Sequence, residues 1–193
     1  MVRKAELNRI TNETGISVCL NLDGTGEYEI DTGCAFFDHM LAQLSRHGRF
    51  DLRVESKGDL VIDSHHTVED TGIVLGKVFT ECLGDKKGIN RYGNAMMPMD
   101  ESLCMVTVDI CGRPNLVFNG EMNGMLGTMD GELIYDFLKA FTDNSGITLH
   151  VNMMYWRNNH HKAEGIFKGL ARALREAVKV GETKDIPTTK GCL

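Results

Sequence analysis

The segments Asp63-Ser64-His65-His66-Thr67-Val68-Glu69 and Asn158-Asn159-His160-His161-Lys162-Ala163-Glu164 both read His-His-x-x-Glu, and each opens an apolar-periodic run. They hold four of the chain's seven histidines. On a helix, residues four apart share a face, whereas neighbours point about 100° apart. His65 and Glu69 therefore converge on one point, as do His160 and Glu164, while His66 and His161 point elsewhere and are free to complete a second site. Imidazole plus carboxylate suits a borderline divalent cation such as Zn, Mn, Fe or Ni. The pairing predicts two metal sites, each built from both copies of the motif. A single copy would be ordinary helix-start chemistry: Asp63 or Ser64, and Asn158 or Asn159, are good N-caps, and the dipole favours Glu69 and Glu164 near helix starts.

The motif recurs because its surroundings recur. Ile16 to Leu22 alternates like a strand, Asp23-Gly24-Thr25-Gly26 reads as a hairpin turn, and Glu27 to Thr32 returns. A helical stripe covers residues 36–47 and stops at Gly48; a strand follows at 50–55, and His65 opens a second helix to Gly84. After a joint at 85–93, a strand around Leu103–Val108, a turn at Gly112-Arg113-Pro114, a return strand at 115–119, a helix at 133–141, a strand at 147–155 and a long helix from Asn158 to about Val180 repeat the order. The expected fold is α+β, with two internally duplicated ββαβα halves (1–90 and 91–180) and a non-helical tail (181–193). Each half has a mostly antiparallel sheet with helices on one face, and the halves pack helix to helix.

His39, on the first helix of the first half, aligns in this repeat with Asp136. Adding both gives eight candidate ligands: His39, His65, His66, Glu69, Asp136, His160, His161 and Glu164. A net charge of −6 argues against a general nucleic-acid binder. No apolar run approaches the roughly 20 residues of a membrane span, and the first residues lack a signal peptide's apolar core. The six cysteines have no Cys-x-x-Cys spacing, so they are expected to be reduced and mostly buried in a cytoplasmic protein.

Several stretches resemble one family along essentially the whole chain. They are Phe37-Asp38-His39-Met40-Leu41, residues 63–70, Met97-Pro98-Met99-Asp100-Glu101, Gly112-Arg113-Pro114, residues 146–151, Asn159-His160-His161-x-x-Glu164 and Thr189-Lys190-Gly191. The family is imidazoleglycerol-phosphate dehydratase, in its monofunctional form. The resemblance implies a hydro-lyase of histidine biosynthesis that converts imidazole glycerol phosphate to imidazole acetol phosphate. It implies two manganese sites per active centre and a homo-oligomer of 24 subunits with octahedral symmetry. By position, one site takes His39, His66, His160 and Glu164; the other takes His65, Glu69, Asp136 and His161. Glu13 matches an active-site glutamate, which places it with Glu69 and Glu164 as the carboxylates for catalysis. Gln43, Arg91, Arg113, Thr188 and Lys190 match positions that contact the substrate, the last four at its phosphate.

The family's chemistry explains the donor set. The carbon-bound proton beside a hydroxyl is not acidic, and hydroxide leaves poorly. A substrate imidazole bound as imidazolate pushes electrons toward the side chain and expels the hydroxyl, with a carboxylate moving the protons. The chain departs from the family pattern at Asp136, where many relatives have histidine, at Cys111, at Thr188-Thr189 and at Trp156, which replaces a small residue. Two other classes share the metal signature: a dinuclear phosphate-ester hydrolase and a non-catalytic metal-binding shell protein. Neither accounts for the basic set and the Glu13 segment together.

Overall fold

The structure, a computed structural model, describes residues 3–191 and 193. The first half runs β1 (Lys4–Ile10), β2 (Thr14–Asn21), β3 (Tyr28–Asp31), α1 (Ala35–Gly48), β4 (Asp51–Gly58) and α2 (His65–Leu83). The second runs β5 (Tyr92–Met99), β6 (Ser102–Asp109), β7 (Asn115–Asn119), a small β8–β9 hairpin (Met125–Leu126, Met129–Asp130), α3 (Leu133–Ser145), β10 (Thr148–Tyr155) and α4 (Asn159–Ala177). The strand orders are β1-β2-β4-β3 and β5-β6-β10-β7. The fold is α+β and duplicated, with each half βββαβα.

Three expectations are corrected. Each half begins with a strand that composition conceals. β1 buries only Ala5, and β5 carries Gly93 and Pro98, which Pro's missing donor restricts to an edge strand. Residues 23–26 do not close a hairpin, nor does β7 return beside β6. β2 already lies between β1 and β4, and β6 between β5 and β10, so β3 and β7 pair in parallel on the outer edges of β4 and β10. The Asp51 carboxylate steers the first crossing: it accepts from the amides of Thr25, Gly26 and Glu27 at 2.8, 3.2 and 3.2 Å. The left-handed residue that ends α1 is Arg49 (φ 55°), because Gly48 is occupied in letting the Phe50 ring approach.

Alternation buries one face of every central strand. Ile16, Val18 and Leu20 of β2 and Cys104, Val106 and Val108 of β6 face inward. The helices lie between the sheets: α1 and α2 cover the first, α3 and α4 the second, with α2 packed on α3 and α1 on α4. An aromatic seam joins the halves. Phe137 lies edge-on to Phe37 and stacks on Phe167, both at 5.3 Å between centroids, and Phe79 meets Phe141 at 5.6 Å. Such pairs contribute about 0.5–1.5 kcal/mol each beyond their burial.

The five described cysteines are free thiols, and all but Cys19 are buried; Cys192 lies outside the described residues. Among the described residues, no helix is long and apolar enough to cross a membrane.

Candidate active site

Four clusters gather around the starts of α2 and α4. At the first, Glu164 Oε1 lies 3.1 Å from His39 Nε2 and 2.9 Å from His160 Nε2, so α1 and α4 bring the three donors to one point. Lys168, one turn on, pairs with Glu164 Oε2 at 2.5 Å. Burial pushes the Glu164 carboxyl up, but hydrogen bonds from Lys168, His39 and His160 outweigh it and hold the group at about 2. Gln43 reaches His39 Nε2 at 3.4 Å and His47 at 3.0 Å, extending a polar row along α1.

At the second, His65 Nε2 lies 3.8 Å from Glu69 and its Nδ1 3.8 Å from Asp136 on α3. The two carboxylates therefore address opposite sides of one imidazole. His66 turns away to the third cluster, where Asp59 accepts from Nδ1 at 3.0 Å and Glu13, at the β1–β2 tip, stands 4.0 Å from Nε2. The hydrogen bond to Asp59 raises the His66 pKa above the ordinary histidine value.

The fourth cluster mirrors the third. Glu101, at the β5–β6 tip, accepts from His161 Nδ1 at 2.8 Å, and Asp100 lies 3.7 Å from Nε2. That hydrogen bond lowers Glu101 to about 2 and raises His161. The same Glu101 accepts the Asn158 amide at 2.8 Å, and the Asn158 side chain caps α4 through the amides of His160 and His161. Asp100 holds φ 48° in the left-handed region.

Of the eight predicted ligands, one chain thus brings His39, His160 and Glu164 to one point, whereas Glu69 and Asp136 flank His65 at different ring nitrogens and do not share a point with it. His66 and His161 stand apart, each with the acidic tip of a hairpin. Asp59, Asp100, Glu101 and Lys168 escaped the sequence reading. The usable signal for Lys168 was its i,i+4 spacing from Glu164. Asp59 opens the β4–α2 link, seven residues before His66; for Asp100 and Glu101 only the position of their hairpin tip in the fold reveals the contact.

A basic cradle lies elsewhere. Arg91, Tyr92, Arg113, Pro187, Thr188, Thr189 and Lys190 line a cavity of about 480 Å³. All four residues predicted at the phosphate are here. Arg91 is anchored through Asp109, Nε to Oδ1 at 2.6 Å and Nη2 to Oδ2 at 3.1 Å, and donates to Pro187 O at 2.9 Å, which ties the tail to β5. Its φ of 70° is left-handed; strain of this kind persists where surrounding contacts over-determine it. The cradle sits at the β5 start, whereas His161 meets the other end of that strand. The seven steps from Tyr92 to Met99 span about 23 Å.

Residues 32–174 match the family model described as imidazoleglycerol-phosphate dehydratase. An imidazoleglycerol-phosphate dehydratase of Clostridium acetobutylicum is 53% identical, with 99% of this chain and 98% of the relative covered. One of Azorhizobium caulinodans is 54% identical over 100% and 99%. The crystal structure of the Staphylococcus aureus enzyme of that name superposes with a TM-score of 0.84 at 36% identity, covering 92% of this chain and 99% of that one. On its sequence, its duplicated fold and these relatives, the chain belongs to the imidazoleglycerol-phosphate dehydratase family.

Proposed function

We propose that the chain removes water from imidazole glycerol phosphate to give imidazole acetol phosphate, a step of histidine biosynthesis, in a manganese-dependent active centre. The observation that carries the metal reading is the first cluster: ligand atoms of His39, His160 and Glu164 lie within 4.8 Å of one another. Two imidazole nitrogens and an ionised carboxylate are a donor set that manganese accepts. His39, His160 and Glu164 would hold one ion, with His66 as the fourth ligand. His65, Glu69 and Asp136 would hold the other, with His161. When bound, manganese supplies Lewis acidity that stabilises the substrate's imidazolate.

The chain's own residues do the rest. Arg113 and Lys190 bind the phosphate, with Arg91 held ready by Asp109 and the Thr188 hydroxyl alongside. Glu13 takes the carbon-bound proton beside the hydroxyl. The hydroxyl on the carbon next to the imidazole leaves as water with the proton that Glu13 delivers, and the hydroxyl that remains on the deprotonated carbon is the enol that becomes the ketone. Gln43, bridging His39 and His47, orients the substrate over the first cluster.

The glycerol linker between imidazole and phosphate is far shorter than the strand separating the cradle from His161. His66 and His161 also face away from the groups they would complete. Both features support an active centre closed between copies in a homo-oligomer, in keeping with the 24-subunit assembly that the resemblance implies.

The test is to incubate metal-free protein with imidazole glycerol phosphate, with and without manganese, following ketone and inorganic phosphate. Ketone that appears only with manganese, without phosphate release, is the expected result. Phosphate release would indicate a hydrolase. Manganese binding without turnover would remove the enzyme assignment and leave a metal-binding shell protein.

A further inference from the structure

Lys162 follows His161 directly, yet it is fully buried, and its Nζ has no hydrogen-bond partner among the described residues. A buried ammonium without compensation is costly. Burial pushes its pKa down, and two groups favour the charged form against that cost: the Trp156 indole, whose ring centroid lies 3.9 Å away, and the Glu121 carboxylate through its charge. Trp156 is the chain's only tryptophan. It begins the link Trp156-Arg157-Asn158 between β10 and α4, and a helical side chain leans toward its helix's N-terminus, so Lys162 reaches back over that link. The end of the same link is tied twice, by Asn158 to Glu101 and by Asn158 to the amides of His160 and His161. In the first half the corresponding link, residues 59–64, is longer and leaves Val61 and Ile62 exposed.

We propose that the Lys162 ammonium and the Trp156 indole form a cation–π clamp that fixes the β10–α4 link and so positions His160 and His161 for their ligands. Lys162 and Trp156 are positioning residues, and the inference rests on the reading of the two histidines as metal ligands. Holding the link at its start as well as its end leaves the cap, and hence both imidazoles, one arrangement. A desolvated cation–π pair is strong enough to shift such an equilibrium roughly ten-fold.

The test compares Lys162→Met and Lys162→Arg with the parent protein; Trp156→Leu removes the other partner at a partly exposed position, where folding is not in question. Three quantities are read: the near-ultraviolet dichroism of the sole indole, amide hydrogen exchange across 156–161 in metal-free protein, and manganese affinity. Lys162→Met should lose the fixed indole band, exchange these amides roughly ten-fold faster and bind manganese roughly ten-fold more weakly. Trp156→Leu should reproduce the last two effects, and Lys162→Arg, which keeps the cation, should leave all three as in the parent. Unchanged exchange and affinity in Lys162→Met, with or without the indole band, would overturn the proposal. If the parent protein takes up no manganese, the metal reading fails, and the exchange rates alone decide whether the clamp holds the link.

Discussion

Glu164→Gln should bind manganese at least about a thousand-fold more weakly than the parent and show no turnover above background. Losing a partner that merely supports a ligand costs about 10–100-fold in affinity, and this change removes more. It takes the negative charge from a group whose Oε1 lies within 3.1 Å of both His39 and His160. It also deprives Lys168 of its carboxylate, leaving a cation where the ion should sit. The amide keeps the side chain's volume, so the fold should survive. Metal-free protein supplies an independent check. A carboxyl lowered from 4.5 to about 2 in the folded state stabilises the protein above pH 4.5, and that contribution is lost as pH falls toward 2. Urea unfolding of Glu164→Gln should therefore depend less on pH between 4.5 and 2 than the parent. Equal acid sensitivity together with unchanged manganese affinity would contradict the assignment of Glu164.

Gly76→Leu should destabilise the protein by about 3 kcal/mol, the upper part of the range for inserting bulk into a packed interior. Gly72 and Gly76 lie one turn apart on α2 and let α3 come close. A methyl group at Gly72 would stand 2.8 Å from Phe137 O, and one at Gly76 would stand 2.7 Å from Phe141 O and 2.9 Å from Asn144 Cβ. Two effects compete in Gly76→Ala. Helix propensity gains about 1 kcal/mol, whereas pushing a backbone carbonyl aside costs about 1–3 kcal/mol, so the alanine variant should lose only a little. The leucine adds bulk with no further gain. Its effect reaches the site as well, because α2 carries His65 and Glu69 and α3 carries Asp136. Spreading the helices separates these groups, so manganese bound there should weaken more than manganese at the first cluster. Gly15→Ala is the control: nothing lies within 4 Å of a methyl group there. Denaturant midpoints across the four proteins test the ordering.

What the sequence discloses about this molecule depends on how local the physics is. The His-His-x-x-Glu pairs were readable because helix spacing alone sends His65 toward Glu69 and His160 toward Glu164, and the lengths of α2 and α4, 19 residues each, repeat with them. The helices followed from periodicity for the same reason. β1 and β5 were not readable, since edge strands bury little and need no apolar alternation. Nor was the parallel seat of β3 and β7, which depends on both edges of β2 and β6 being already taken. Glu101 lies 60 residues from His161, where its meaning appears; only the fold sets a hairpin tip beside a histidine. The separation of His66 and His161 from their expected partners is likewise invisible to spacing. Lys162 illustrates the limit well: as a lysine on an amphipathic helix it reads as solvated, and only packing puts it beneath Trp156.

Incomplete clusters and a distant phosphate cradle support the proposal that the active centre is made whole by neighbouring copies. Mixing two inactive variants tests this most directly. Glu164→Gln disables the metal end and Arg113→Ala the phosphate end, and each alone should be inactive. The two are mixed as metal-free protein, reassembled with manganese and assayed for dehydration. If a centre draws Glu164 from one copy and Arg113 from another, random assembly leaves about a quarter of centres with both residues intact, and activity should recover to about that fraction of the parent's. A mixture as inactive as its components would mean that one chain supplies both ends, and would contradict the account.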